Sequence, residues 1–283
     1  MEEEVGKVEN IFTAHYWRLP FWRLLRPYAV ILAFIILWEL VASMGIFPPY
    51  ILPKFSTVMK SLFSSLYVEN PQTGFPFSGD LIPHTLWSIW RVLVGWGLGI
   101  LLAVPLGVIM GWSKNMEAVL NPLIEAVRPI PPLAWIPLAV IWFGLGFTST
   151  VFIVFLGAFF PILLNTIHGV KSVDKTAIEF AQTLGASQRQ ILYKVVLPSA
   201  LPSIFTGMRI GMGIAWMTVV AAEMIAAKYG LGYMIWFARH QFDTALIIGG
   251  MITIGVVSIS MVTLMMKLED RLFKWRKGMV VGG

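Results

Sequence analysis

The feature that most constrains this 283-residue chain is a succession of apolar runs. A helix needs about 20 mostly apolar residues to cross the hydrocarbon core of a bilayer. Six runs approach or exceed that length: 27–47, 83–112, 129–144, 149–168, 200–226 and 245–267. In lipid the backbone must satisfy its own hydrogen bonds, so each run is expected to be a helix. Charged residues make up only 13% of the chain, about half the roughly 25% of a soluble domain. The expected fold class is therefore all-α and polytopic, with about six transmembrane helices. The third run is the weakest, because Pro129, Pro131, Pro132 and Pro137 remove backbone donors that lipid cannot replace. The chain opens on the acidic Glu2, Glu3 and Glu4, so its first apolar run reads as a retained helix and not a cleaved signal. Cysteine is absent, which excludes disulfides, thiolate metal sites and a cysteine nucleophile.

Loop charge sets the expected orientation. With both termini cytoplasmic, the inner segments hold 14 of the 21 basic residues: Lys7, Arg18, Arg23, Arg26, Lys114, Lys171, Lys175, Arg189, Lys194, Lys267, Arg271, Lys274, Arg276 and Lys277. The outer segments hold four, Lys54, Lys60, Lys228 and Arg239, and Arg91, Arg128 and Arg209 lie near helix ends. This asymmetry accounts for the net charge of +6 and leaves no basic patch for nucleic acid. Tyr16, Trp17, Trp22, Tyr28, Phe273 and Trp275 fall where an inner interfacial belt is expected. The resulting division is a cytoplasmic segment 1–26, a membrane domain 27–268 and a cytoplasmic tail 269–283. The outer loop 48–82 is expected to carry a short helix at 56–67.

The inner loop 169–198 is too long to lack structure of its own. Asp174 can cap a first helix, on which Ala177, Phe180, Ala181 and Leu184 make one apolar stripe. Gly185 permits a left-handed turn. Ser187 and Gln190 then form a capping box for a second helix, whose apolar face continues through Ile191, Leu192 and Val195 and which Pro198 is expected to end. The pattern suits equally a helix pair resting on lipid and one that docks a partner.

This segment resembles the EAA motif of permease subunits of ATP-binding-cassette importers, in which Glu-Ala-Ala precedes a spaced Gly and a terminal Leu-Pro. Glu179, Ala181, Gly185, Leu197 and Pro198 match in register, with Phe180 and Val195 as apolar replacements. Arg128-Pro-Ile-Pro-Pro-Leu-Ala-Trp-Ile-Pro-Leu, Trp142-Phe-Gly-Leu-Gly, Gly207-Met-Arg-Ile-Gly, Ala215-Trp216, Ala221-Ala-Glu-Met224 and Gly230-Leu-Gly232 are similar to the permeases of nitrate, sulfonate, taurine and bicarbonate importers. The resemblance implies the type I importer permease fold and a non-enzymatic subunit. It further implies two permease copies, two ATPase subunits that bind ATP and Mg, and an extracytoplasmic substrate-binding protein. Consistent with that division of labour, the chain has no G-x-x-x-x-G-K-[ST] phosphate loop and no cofactor site of its own.

On this reading Glu179, Phe180, Ala181, Leu184, Gly185, Ala186 and Arg189 contact the ATPase. Pathway or gate candidates are Pro131, Pro132, Trp135, Arg209, Met212, Trp216 and Glu223. Several carry plain structural alternatives. Arg91 is expected to snorkel and Arg209 to snorkel or to form an ion pair, while Glu223, near the outer end of its span, suits a surface or gate. Gly207, Gly211 and Gly213 suit helix packing, and Glu39 suits contact with a neighbouring helix. His15, His84, His168 and His240 show no metal spacing, and no catalytic constellation is recognisable. Competing functions are a secondary transporter or channel working without ATP, a non-transporting scaffold, and a related permease for a heterocyclic vitamin precursor.

Overall fold

A computed structural model describes residues 21–67 and 81–272, with side chains described for 29–66 and 81–272. The segments 1–20, 68–80 and 273–283 lie outside the described residues, and with them most of the expected inner aromatic belt and most of both expected cytoplasmic ends.

The described chain is helical throughout. Helix α1 spans Phe21–Ser43, α2 Phe55–Tyr67, α3 Leu81–Trp112 and α4 Lys114–Val127. A 3-10 turn at Pro132–Trp135 leads into α5, Ile136–Phe143. Then follow α6 (Phe147–Lys171), α7 (Lys175–Thr183), the short α8 (Gln188–Ile191), a π turn at Leu192–Val196, α9 (Leu197–Ala226), α10 (Leu231–His240) and α11 (Thr244–Leu272).

Four helical stretches are long and apolar enough to span by themselves: α3, α6, the continuous Gln188–Ala226 and α11. The third expected span is not one helix. Run 129–144 is the short 3-10/α5 piece, and it makes a broken pair with the preceding α4, bent by 80° where Pro129, Pro131 and Pro132 interrupt the hydrogen-bond ladder. Ser113 caps α4 by accepting from Met116 N at 3.4 Å, so the region before Arg128 is a helix and not a plain connection. Pro198 does not end the second loop helix. The chain runs through it into α9, because the π turn at Leu192–Val196 relaxes the ladder just before the proline, which stands in the first turn of α9.

The centre of the bundle is α6, packed between α3 and α9. Helices in lipid gain little from hydrophobic burial against one another and associate where small residues let backbones approach. On α3, Gly95, Gly99, Ala103, Gly107 and Gly111 recur every fourth residue and form one stripe. A Cβ at Gly95 would stand 2.6 Å from Val154 Cγ1, and one at Gly107 or Gly111 would stand 2.7 Å from Cβ of Thr166 or Val170. On the other side, Gly207 and Gly211 of α9 meet Asn165 and Ile162, while Gly157 and Gly169 of α6 meet Thr218 and Ser203. Gly207 and Gly211 thus pack helices, as their spacing suggests, whereas Gly213 has open space beside it.

Polar side chains stitch the same helices. Trp96 Nε1 donates to Met208 O at 2.9 Å, Ser203 Oγ to Asn165 O at 2.8 Å and Trp216 Nε1 to Ile254 O at 3.1 Å. Arg209 of α9 pairs with Glu269 of α11 at 3.1 Å, which realises the structural alternative for that arginine. Glu39 on α1 accepts from Ser56 N at 3.1 Å and Ser56 Oγ at 2.8 Å, so it satisfies the start of α2.

Candidate functional site

The loop between α6 and α9 folds as the sequence patterns require. Asp174 Oδ1 accepts from Thr176 N at 2.9 Å and starts α7. At its other end Gly185 has φ +76°, Gly185 N donates to Gln182 O at 2.9 Å and Ala186 N to Ala181 O at 3.1 Å. This paired arrangement is a Schellman stop, and the left-handed residue it needs is the reason a glycine stands there. One residue on, Ser187 N donates to Gln190 Oε1 at 2.8 Å and Gln190 N to Ser187 Oγ at 3.4 Å, closing the capping box of α8.

Packing divides the expected stripe of α7 in two. Ile178, Ala181 and Ala186 turn toward the bundle and rest on Val173, Ile191 and Val196, beneath Val104, Val108 and Trp112 of α3. Ala177, Phe180 and Leu184 turn away from it, and Phe180 and Leu184 remain 65% and 72% exposed. Glu179 and Arg189 are exposed beside them. The pair is therefore a wedge: one face seated on the ends of α3, α6 and α9, the other presenting two large apolar side chains with no covering among the described residues. Lys171, at the end of α6, forms an ion pair with Glu117 of α4 close to the wedge.

The pathway candidates separate by burial. Pro131 is exposed and Pro132 partly so. Trp135 packs with Ile136, Ala139, Ile153 and Ala222, where α5 meets α6 and α9. Met212 and Trp216 are 2% and 4% exposed and lie in the main core of this chain. Arg209 is held by Glu269.

Glu223 and Arg91 are corrections of a larger kind. Glu223 is fully buried and is not a surface residue, and Arg91, 3% exposed, does not snorkel. They meet at 2.8 Å. The Glu223 carboxylate also accepts from Ser88 Oγ at 2.8 and 2.9 Å and from Gly232 N at 3.0 Å. Arg91 donates to Tyr229 O at 2.5 Å, and Trp87 lies against its guanidinium with 5.6 Å to the ring centre. Ser88 Oγ accepts from Leu231 N at 2.9 Å, and His84 Nδ1 accepts from Gly230 N at 2.8 Å. His84, Ser88 and Arg91 stand at i, i+4 and i+7 on α3, a polar stripe on an otherwise apolar span, and that spacing was the signal available in the sequence. Glycine is required opposite them. A Cβ at Gly230 would collide with the Glu223 carboxyl group, and one at Gly232 with Val220 O.

Among the described residues no group of three or more His, Asp or Glu side chains is placed to hold a metal ion. The site contains a docking-type wedge and a buried polar cluster, set at two ends of a membrane bundle. Residues 103–277 match the family described as binding-protein-dependent transport system inner membrane components. This chain belongs to that family. An ABC transporter permease protein of Methanocaldococcus jannaschii is 47% identical over 246 residues, covering 87% of this chain and 90% of its relative. The taurine transport system permease protein of Escherichia coli is 38% identical over 260 residues, covering 92% and 93%. Among solved structures, the methionine ABC transporter MetNI in inward-facing conformations superposes with a TM-score of 0.59 at 20% identity, over 72% of this chain and 97% of that one. The chain is thus a permease subunit of an ABC importer, a membrane component and not an enzyme.

Proposed function

We propose that this permease forms, with a second copy, the passage of an ATP-driven importer for a small sulfonate such as taurine or a similar anion. Two ATPase subunits, binding ATP and Mg, press on the α7–α8 wedge, and an extracytoplasmic binding protein delivers the solute. The supporting observation is the exposed pair Phe180 and Leu184 on a helix pair fixed by a Schellman stop and a capping box. A rigid element with one apolar face seated and the other uncovered is suited to transmit a push from a partner. Glu179, Ala181, Gly185, Ala186 and Arg189 complete that contact in this reading. Both termini are cytoplasmic, on the same side as the wedge.

The broken segment from α4 to α5 forms the wall of the passage, with Pro131 and Pro132 at the break. Interrupted backbone at membrane depth must be covered by protein or line a watery cavity. The taurine assignment rests on the Escherichia coli relative.

The test is uptake into vesicles containing the permease, its ATPase and its binding protein. Taurine uptake that requires ATP supports the reading. Uptake at full rate without ATP would favour a secondary transporter or channel instead, and retained ATPase recruitment with no uptake of any tested solute would favour a scaffold.

A further inference from the structure

Gly230 stands at the N-cap of α10, and Leu231 and Gly232 are its first two residues. Three consecutive backbone N–H groups at the start of α10, those of Gly230, Leu231 and Gly232, each donate to a side chain from another helix: His84, Ser88 and Glu223 at 2.8, 2.9 and 3.0 Å. A helix start leaves several such donors without partners, and Gly230 has no side chain to cap them. The carbonyl of Tyr229, just before, is taken by Arg91. The four side chains are all buried. Every one of these bonds crosses from the turn to α3 or α9, and opening any of them would leave a charge or an N–H unpaired away from water.

We propose that His84, Ser88, Arg91 and Glu223 form a clasp that fuses α10 to α3 and α9, so that the glycine turn is a fixed corner while the transporter changes state. The clasp rests on the geometry alone. The proposed ATP-driven cycle enters only through the comparison of states below.

Hydrogen exchange of the complex in lipid nanodiscs, with and without ATP, tests this. Amides of 230–232 should be protected in both states of the wild type. In the double variant Arg91→Met/Glu223→Leu, exchange there should rise at least about tenfold, the factor for one lost hydrogen bond to a charged group. That variant separates a clasp from a merely stabilising pair. Apolar replacement of a buried ion pair often preserves stability, so a stabilising role predicts wild-type Tm and uptake, with faster exchange confined to Gly232, whose acceptor is removed. A clasp predicts near wild-type Tm with fast exchange across 230–232 and at least about tenfold lower uptake. Serine-only loss, in Ser88→Ala, should speed exchange at Leu231 as a second check. Rapid exchange of 230–232 in either wild-type state, or unchanged exchange in both variants, overturns the proposal. Exchange at 175–191 that ignores nucleotide would count against the ATPase-coupling reading, leaving the clasp decided by 230–232 alone.

Discussion

Arg91 on α3 and Glu223 on α9 are 132 residues apart in sequence and 2.8 Å apart in the folded chain, with neither side chain open to solvent. Such a pair is costly to break singly, because the survivor is a buried charge without its counter-charge. Glu223→Ala is therefore expected to destabilise the fold by about 3–5 kcal/mol, and Arg91→Met/Glu223→Leu to recover most of that loss. Thermal unfolding in detergent checks both. A single variant as stable as wild type would mean the pair is hydrated and carries little energy.

The ion pair between Arg209 and Glu269 should behave differently. Its side chains are 35% and 18% exposed, so water and salt share the interaction. Glu269→Gln is expected to cost no more than about 1 kcal/mol, and less in high salt. A loss matching that of Glu223→Ala would show that α11 depends on this contact far more than its exposure indicates.

Two glycines of α3, one on the packed stripe and one off it, make a contrasting pair. Gly107→Val forces α3 from Thr166 and should cost about 1–3 kcal/mol as overpacking. Gly97 has nothing within 4 Å, so Gly97→Ala should be neutral or slightly stabilising. Equal effects at the two positions, read from yield and unfolding temperature, would contradict the packing of α3 on α6.

At the wedge, the space beside Gly185 is open, so substitution there acts through its φ of +76°. Gly185→Ala should cost about 1–2 kcal/mol locally, and Gly185→Trp should abolish uptake while insertion persists. Phe180→Ser/Leu184→Ser should leave the fold intact and lose ATPase co-purification. If the ATPase still co-purified at wild-type yield with Gly185→Trp and with the serine pair, the coupling surface would have to lie elsewhere.

Orientation is directly measurable because the chain has no native cysteine. Gln241→Cys, between α10 and α11, should react with an impermeant maleimide on intact cells. Gln182→Cys, at the end of α7, should react only after permeabilisation. The reverse pattern would invert the assignment of sides.

Much of the wedge was legible because its determinants are local. Asp174, Gly185, Ser187 and Gln190 each act on backbone groups within a few residues, so their types and spacing suffice to foretell a helix, a stop and a restart. What escaped was which side of α7 faces the bundle. Phe180 and Ala181 share one apolar stripe, yet Ala181 is seated and Phe180 is exposed, a division fixed by Val173, Ile191 and Val196 packing from other turns of chain. The break between α4 and α5 was foreshadowed by its prolines, but not the 80° bend or the independent helix before it. Pro198 misled for a related reason: a proline deletes one donor, and the π turn upstream lets the helix continue around that loss.

The sequence by itself determined that this is a helical membrane protein and which family it joins, since apolar runs and short-range motifs decide those. The number of spans was not fixed that way, because six runs were expected and the described residues give four spans, or five with the bent pair. Only the tertiary structure decided the fate of the charges. Whether Arg91 reaches water or Glu223 depends on where α9 lies beside α3, and that placement is set by glycine and alanine stripes on both sides of α6, whose meaning appears only once the helices touch.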